Sequence, residues 1–323
     1  MTRHFLEIDD LDAARLRTIL DNAIAWKADR SKVPAVLAGR GVVAMFEKPS
    51  ARTRVSTEMA IATLGGHPIY VRGEEVGLDT RETVEDVART QAGMCAAIAA
   101  RVFDHETLRR MVAVVDVPVV NLLSDVAHPC QVLADLLTVR EHFGDLSGRR
   151  IAYVGDGNNM AASLAFGAAL SGVELVLAAP DGYELDAQMI ERARNLGGTI
   201  ERANDPYDAV READVVYTDV WTSMGQEDER AVRLRAFEGW TVDAALMKAA
   251  PEHAVFMHCL PAHRGEEVSA EVIESPQSIV WQQASNRMDS IRALFVDVLS
   301  ERSEQSRAEG APSGAAGGVG GWS

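Results

Sequence analysis

The chain has 323 residues, 47% of them hydrophobic and 25% charged, and its formal net charge is −16. That length exceeds what one hydrophobic core comfortably serves and predicts two domains or one large α/β unit. The composition is that of a globular protein, and no segment approaches the ~18 uninterrupted apolar residues of a bilayer span; an acidic chain without a Lys/Arg cluster also argues against nucleic acid as a partner.

At the N-terminus, residues 1–10 carry acids where a signal peptide needs an apolar core, so no export signal is visible. Cys95, Cys130 and Cys259 are odd in number and far apart, which argues against a disulfide framework and predicts a reducing, cytoplasmic home. Leu16, Ile19, Leu20, Ala23 and Ile24 recur at helical spacing behind Asp9 and Asp10, which can cap, and predict an opening amphipathic helix. Residues 42–46, 68–71, 96–99 and 118–123 then read as short buried strands separated by stretches long enough for helices, the βα pattern of a parallel sheet. After the turn Phe143-Gly-Asp-Leu-Ser-Gly148 the alternation restarts with strands at 150–154, 174–177, 215–218 and 254–258, so the domain boundary falls in that turn, between 1–145 and 146–302. A long helix is predicted from about Val280 to Leu299, with Ile291, Leu294, Phe295 and Val298 on one face, and 303–323 reads as a low-complexity, disordered tail.

The first chemical motif follows the first strand. Ser50 is a good helix N-cap, Val55, Met59, Ala62 and Leu64 continue as an apolar stripe, and Arg52 and Arg54 fall in the first turn. Cations there oppose the helix dipole by typically ~0.3–1 kcal/mol each, so either an anion such as phosphate binds the pair and the free amides, or nearby acids such as Glu47 and Glu58 neutralise an exposed pair. In His128-Pro-Cys-Gln131, Pro129 suits the first helical position, which leaves His128 at the cap and Gln131 one turn in. Both can face a cleft at the strand ends, or serve as a capping His and a surface Gln. A zinc site from His128, Cys130, His258 and Cys259 lacks the close Cys/His spacing such sites show, and no metal is expected.

Val154-Gly-Asp-Gly-Asn-Asn-Met160 superficially resembles a dinucleotide fingerprint, but Met160 stands where a third Gly is required, which weighs against an oxidoreductase. Its Asn pair suits a small polar ligand or an ordinary turn. Asp219-Val-Trp-Thr-Ser-Met-Gly225 and His258-Cys-Leu-Pro-Ala-His263 close two later strands, and in a doubly wound sheet such loops converge on one cleft.

In combination these motifs resemble the ornithine carbamoyltransferases of the aspartate/ornithine carbamoyltransferase superfamily, from the opening helix to about Leu299. Ser50-Ala-Arg-Thr-Arg54 looks like the family's carbamoyl phosphate loop, His128-Pro-Cys-Gln131 is intact, and Asn286-Arg287 matches the Asn-Arg pair of the last helix. Asp219-x-x-x-Ser223-Met224-Gly225 and the Cys of His258-Cys-Leu-Pro261 match the ornithine rather than the aspartate branch. The resemblance implies two doubly wound parallel-sheet domains joined by helices, with the C-terminal helix packing back on the N-terminal domain: 1–145 for carbamoyl phosphate and 146–302 for ornithine. It further implies that Ser50, Ala51, Arg52 and Thr53 hold the phosphate and that Arg101 bridges phosphate and carbonyl. His128 and Arg287 would polarise the carbonyl, while Gln131 and the Leu260 carbonyl grip the carbamoyl nitrogen. Asn159, Asp219, Ser223 and Met224 would bind L-ornithine, with Cys259 beside the reacting amine. Neither cofactor nor metal is implied, and the family is usually a homotrimer with interfacial active sites. The chain departs from the family pattern at Ala51, at Asp289, at Ser285, and at Glu74-Glu75, where many members supply a cross-subunit Gln.

Overall fold

Residues 42–46 and 97–100 contain no polar side chain, and strands of that composition are stable only when both faces are covered. The structure, a computed structural model, describes residues 2–222 and 227–309, with side chains described for 2–222 and 228–300. It meets that demand twice. Strands β1 (Gly41–Phe46), β2 (His67–Arg72), β3 (Ala97–Arg101) and β4 (Val119–Leu123) form a parallel sheet in the order β2-β1-β3-β4. A second parallel sheet, in the order β7-β6-β5-β8-β9, contains β5 (Arg150–Val154), β6 (Glu174–Ala178), β7 (Thr199–Ala203), β8 (Val215–Thr218) and β9 (Val255–His258).

In the first unit the helices are α1 (Ala13–Ala28), α2 (Ala51–Thr63), α3 (Gly73–Val76), α4 (Val84–Ala92), α5 (His105–Val112) and α6 (Pro129–Phe143). The second carries α7 (Asn159–Ser171), α8 (Ala187–Asn195), α9 (Pro206–Val210), α10 (Arg230–Ala236), α11 (Ala244–Ala249), α12 (Ala270–Ile273) and α13 (Val280–Glu309). Helix α13 returns to pack on α6, α2 and α1, so the C-terminal helix binds the two units together. One apolar cluster accordingly runs from Leu16 and Leu20 on α1, through Leu133 and Leu137 on α6, to Ile291 and Phe295 on α13. No described helix is long and apolar enough to cross a membrane.

Several local expectations change. The cap of α1 is Asp12, whose carboxylate accepts from Arg15 N, while Asp9 and Asp10 lie in a preceding 3-10 turn. On α2 the buried face is Thr53, Ser56, Thr57, Ala60 and Ile61, whereas Val55 is 60% and Met59 46% exposed, because the side facing the cleft and α13 is lined by small and polar residues. Strand β7 has no counterpart in the sequence reading. As an edge strand it buries only Ile200, and Thr199-Ile-Glu-Arg-Ala203 lacks the apolar run that marked the others. At the C-terminus, α13 continues past Leu299 to Glu309, and the rest of the expected tail lies outside the described residues.

Strand order dictates where a ligand can sit. In each sheet the chain winds outward in both directions from one strand, and the crevice at the carboxyl ends opens where the order reverses: between β1 and β3, and between β5 and β8. The registers Phe46↔Arg101 and Tyr153↔Tyr217 bring those carboxyl ends level. The turn after β5 also passes close to the segment before α8, with Gly157 N donating to Tyr183 O at 2.8 Å. A Cβ on Gly157 would lie 2.1 Å from Leu185 N, a backbone atom that cannot swing aside. Gly157→Ala should therefore cost about 1–3 kcal/mol of stability in urea denaturation, the usual penalty for overpacking; an unchanged midpoint would show that the turn has slack.

Candidate active site

The loops at both crevices converge on one cleft of about 590 Å³, lined by residues that follow β1, β3, β5, β8 and β9 and by the side chains of His128 and Arg287. After β1, Ser50 caps α2 in extended conformation, its hydroxyl accepting from Thr53 N at 3.4 Å and donating to Thr53 Oγ1 at 3.0 Å. The Thr53 hydroxyl is buried and also receives Arg287 Nη2 at 2.8 Å and Arg101 Nη1 at 3.4 Å. Ser50, Ala51, Arg52 and Thr53 all line the cleft. The two arginines of that turn separate: Arg54 pairs with Glu58 at 2.8 Å and covers the Tyr70 ring at 3.6 Å, the neutralised-pair reading. Glu47 accepts instead from Phe103 N. Only Arg52 faces inward.

Arg52 is thus joined by two buried guanidiniums, Arg101 at the end of β3 and Arg287 on α13. Among the described residues no carboxylate forms an ion pair with any of the three, and the Nε atoms of Arg101 and Arg287 are buried without a hydrogen-bond partner. Burial first, and then repulsion from Arg287 and Arg52, bring Arg101 down to about 10. Concentrated positive charge of this kind, beside the amides of a helix N-terminus, has the chemistry to hold an anion.

His128 stands at the cap of α6, its backbone N–H donating to Ser163 Oγ at 2.8 Å. Burial, and then Arg287, Arg101 and Arg52, hold the imidazole well below its usual range, so at neutral pH it is an uncharged ring. Its Nδ1 is buried with no partner. Gln131 is fully buried and lies one layer behind the lining, with Oε1 accepting from Arg287 Nη1 and Nε2 donating to Asp135 at 2.8 Å. Cys130, considered for zinc, turns to Asn121 O at 3.3 Å, and burial pushes its thiol up to about 12.

The other half of the cleft is built on the second sheet. Asn158 caps α7 by accepting from Met160 N and Ala161 N, and its Nδ2 donates to Asp219 Oδ2 at 3.0 Å. Asn159 lines the cleft and bridges the units by donating to Ser124 O at 2.6 Å. The other oxygen of Asp219 accepts from Val220 N and from Cys259 Sγ, both at 2.8 Å. Burial and then Asp219 raise the Cys259 thiol well above its ordinary value, so it is a neutral donor and not a nucleophile. Leu260 takes φ 58° before a cis peptide to Pro261, with its N–H donating to His258 Nδ1 at 2.8 Å, which brings the 259–261 backbone to the cleft wall. His258 Nε2 faces Glu267 Oε1 at 3.2 Å, so both of its ring nitrogens are engaged although it lies near Asp219 and Cys259. Ser223 and Met224 lie outside the described residues.

Three lining residues with basic side chains were not among the sequence candidates. Lys48 directly precedes the Ser50 loop, Arg230 sits in a charged run that reads as a solvated face, and His263 closes a motif noted only for its Cys and carbonyls.

Comparison with known proteins gives a consistent result. Residues 3–141 match the family described as aspartate/ornithine carbamoyltransferase, carbamoyl-P binding domain, and residues 147–298 match its Asp/Orn binding domain. The chain is 48% identical over 303 residues to an ornithine carbamoyltransferase of Acidothermus cellulolyticus, covering 93% of this chain and 97% of that one. It is similar in structure to the ornithine carbamoyltransferase of Pyrococcus furiosus, with a TM-score of 0.88 and 44% identity over 93% of this chain and 97% of the other. The corresponding enzyme of Thermus thermophilus gives 0.85 and 41%, over 93% and 99%.

The Asp219–Cys259 contact predicts the titration of the thiol. In wild type, the rate at which a small disulfide reagent labels Cys259 should still be rising at the ordinary cysteine value of 9.0. In Asp219→Asn the opposing carboxylate is gone and the midpoint should move down; the same midpoint in both proteins would mean that the carboxylate does not act on the sulfur.

Proposed function

The chain belongs to the aspartate/ornithine carbamoyltransferase family, and from that premise we propose how its cleft works. It is an ornithine carbamoyltransferase, moving the carbamoyl group of carbamoyl phosphate to the side-chain amine of L-ornithine to give L-citrulline and phosphate. The observation that carries the residue assignment is the trio Arg52, Arg101 and Arg287, without a carboxylate partner among the described residues, facing Asp219 and Cys259 in one cleft.

Ser50, Arg52, Thr53 and the Ala51 amide hold the phosphate, with Arg101 bridging to the carbonyl oxygen. The neutral His128 ring and Arg287 donate to that oxygen, where negative charge develops in the tetrahedral intermediate. The carbamoyl nitrogen is gripped by the Leu260 carbonyl and by Gln131 Oε1, which lies one layer behind the lining against Arg287 and is reached once that guanidinium turns to the donor. On the acceptor side, Asn159, Asp219, Ser223 and Met224 hold the α-amino and α-carboxylate groups of ornithine, and Cys259 lies beside the reacting amine. The amine must lose a proton to attack, since it is mostly protonated in neutral water. As the N–C bond forms and the C–O bond to phosphate breaks, the amine's second proton leaves on the departing phosphate. Positioning and fixed dipoles supply the acceleration, and no covalent enzyme intermediate is formed.

We assign residues 1–145 to carbamoyl phosphate and 146–302 to ornithine. A homotrimer is the proposed assembly, supported by the apolar side chains Val55, Met59, Met94 and Phe103 left exposed on the first unit. The three unpaired thiols fit a cytoplasmic location.

A citrulline colour assay with ornithine, putrescine and aspartate offered side by side tests the reading: product should form with ornithine alone. Arg52→Ala should lower kcat/KM for carbamoyl phosphate by roughly 10- to 100-fold, the worth of one charge-assisted hydrogen bond. Product from putrescine alone, or unchanged kinetics in the variant, would contradict it.

A further inference from the structure

Asp135 has no part in the chemistry described so far. It follows Gln131 by one helical turn, within Val132-Leu-Ala-Asp-Leu-Leu137, and is completely buried. Three donors converge on it: Gln131 Nε2 at 2.8 Å and Gln283 Nε2 at 2.7 Å on Oδ1, and the Tyr217 hydroxyl at 3.2 Å on Oδ2. The three come from α6, α13 and β8, the elements that also carry His128, Arg287 and the approach to Asp219.

The partners on the far side of each amide make the arrangement informative. The two ends of a glutamine amide have nearly the same shape, and which end points where is fixed by what they meet. Gln131 lies between Asp135 Oδ1, which accepts, and the Arg287 guanidinium, which only donates, so its nitrogen must face Asp135 and its oxygen Arg287. Gln283 is fixed in the same way, between Asp135 and the backbone N–H of His258, which its Oε1 accepts at 2.9 Å. We propose that Asp135 is a positioning residue for carbamoyl transfer: it holds the Gln131 amide with its oxygen turned to Arg287 and the carbamoyl group. The proposal rests on the assignment of Gln131 as the ligand of the carbamoyl nitrogen.

Burial raises the Asp135 carboxyl to about 7 despite its three hydrogen bonds. A proton taken up on Oδ2 would face Tyr217 and leave Oδ1 an acceptor, so both forms orient the amide. Packing alone does not call for an acid at this depth, where an apolar side chain of similar size is commonly the more stable choice.

A double-mutant cycle separates positioning from structure. Asp135→Ala should lower kcat/KM for carbamoyl phosphate about tenfold, the worth of a well-placed neutral hydrogen bond. The same change made in a Gln131→Ala protein should cost nothing further, since the residue acts through that amide. Asp135→Asn, which keeps an acceptor oxygen in place, should restore activity to within about threefold of wild type. Equal losses on both backgrounds, or no loss in Asp135→Ala, would overturn the proposal. No effect of Gln131→Ala by itself would instead overturn the Gln131 assignment, and the proposal with it. Circular dichroism and melting temperature establish that each variant is folded; if Asp135→Ala is not, Asp135→Glu, which displaces the carboxylate by one methylene, carries the same cycle.

Discussion

Arg52, Arg101 and Arg287 share the cleft beside the start of α2, each taken partly or wholly out of water and, among the described residues, none paired with a carboxylate. Like charges in one cleft oppose folding, and Arg101, lowered first by burial and then by Arg287 and Arg52, carries the local sign of that opposition. Much of the surrounding structure reads as support for this cost. Thr53 accepts from both buried arginines, Gln131 from Arg287, and α13 is anchored on α6 and α2 so that Arg287 cannot withdraw to solvent. An arriving anion relieves the repulsion, so binding and local stability are coupled.

The second constraint is geometric. Each sheet supplies one crevice at its strand-order reversal, and neither crevice alone holds both the arginine cluster and the Asp219–Cys259 pair. Asn159, which donates to Ser124 O, and Asp135, bonded to residues of α13 and β8, join the two halves. A donor whose leaving group is anionic can thus be held by the first unit while an amino acid is held by the second, with the reacting atoms meeting between them.

What the sequence disclosed follows from how local each signal was. Strands were visible as apolar runs, although 68–71, expected to be buried, forms the edge strand β2 in which no residue is buried, and the β7 edge, half polar, was not visible. The N-cap Ser50 and the first-turn Pro129 placed two motifs correctly because capping is chemistry between near neighbours. Spacing could not tell Arg52 from Arg54; that choice depends on Glu58 and on the Tyr70 ring, contributed by another element. Val55 and Met59 misled for a related reason, since an apolar stripe marks a covered face without saying what covers it. Asp135 had a usable signal, an acid inside an apolar helical run, which is rarely left without partners. Lys48, Arg230 and His263 reach the cleft only through the convergence of loops, which no linear pattern encodes.

The most direct measurement is a crystal structure with a phosphonate bisubstrate mimic that joins carbamoyl phosphate to ornithine. Its phosphonate should lie within hydrogen-bond distance of Arg52, Arg101 and Thr53, with the amino-acid end against Asn159 and Asp219. A phosphonate seated on Arg54, or the amino-acid end lodged away from Asp219, would contradict the account.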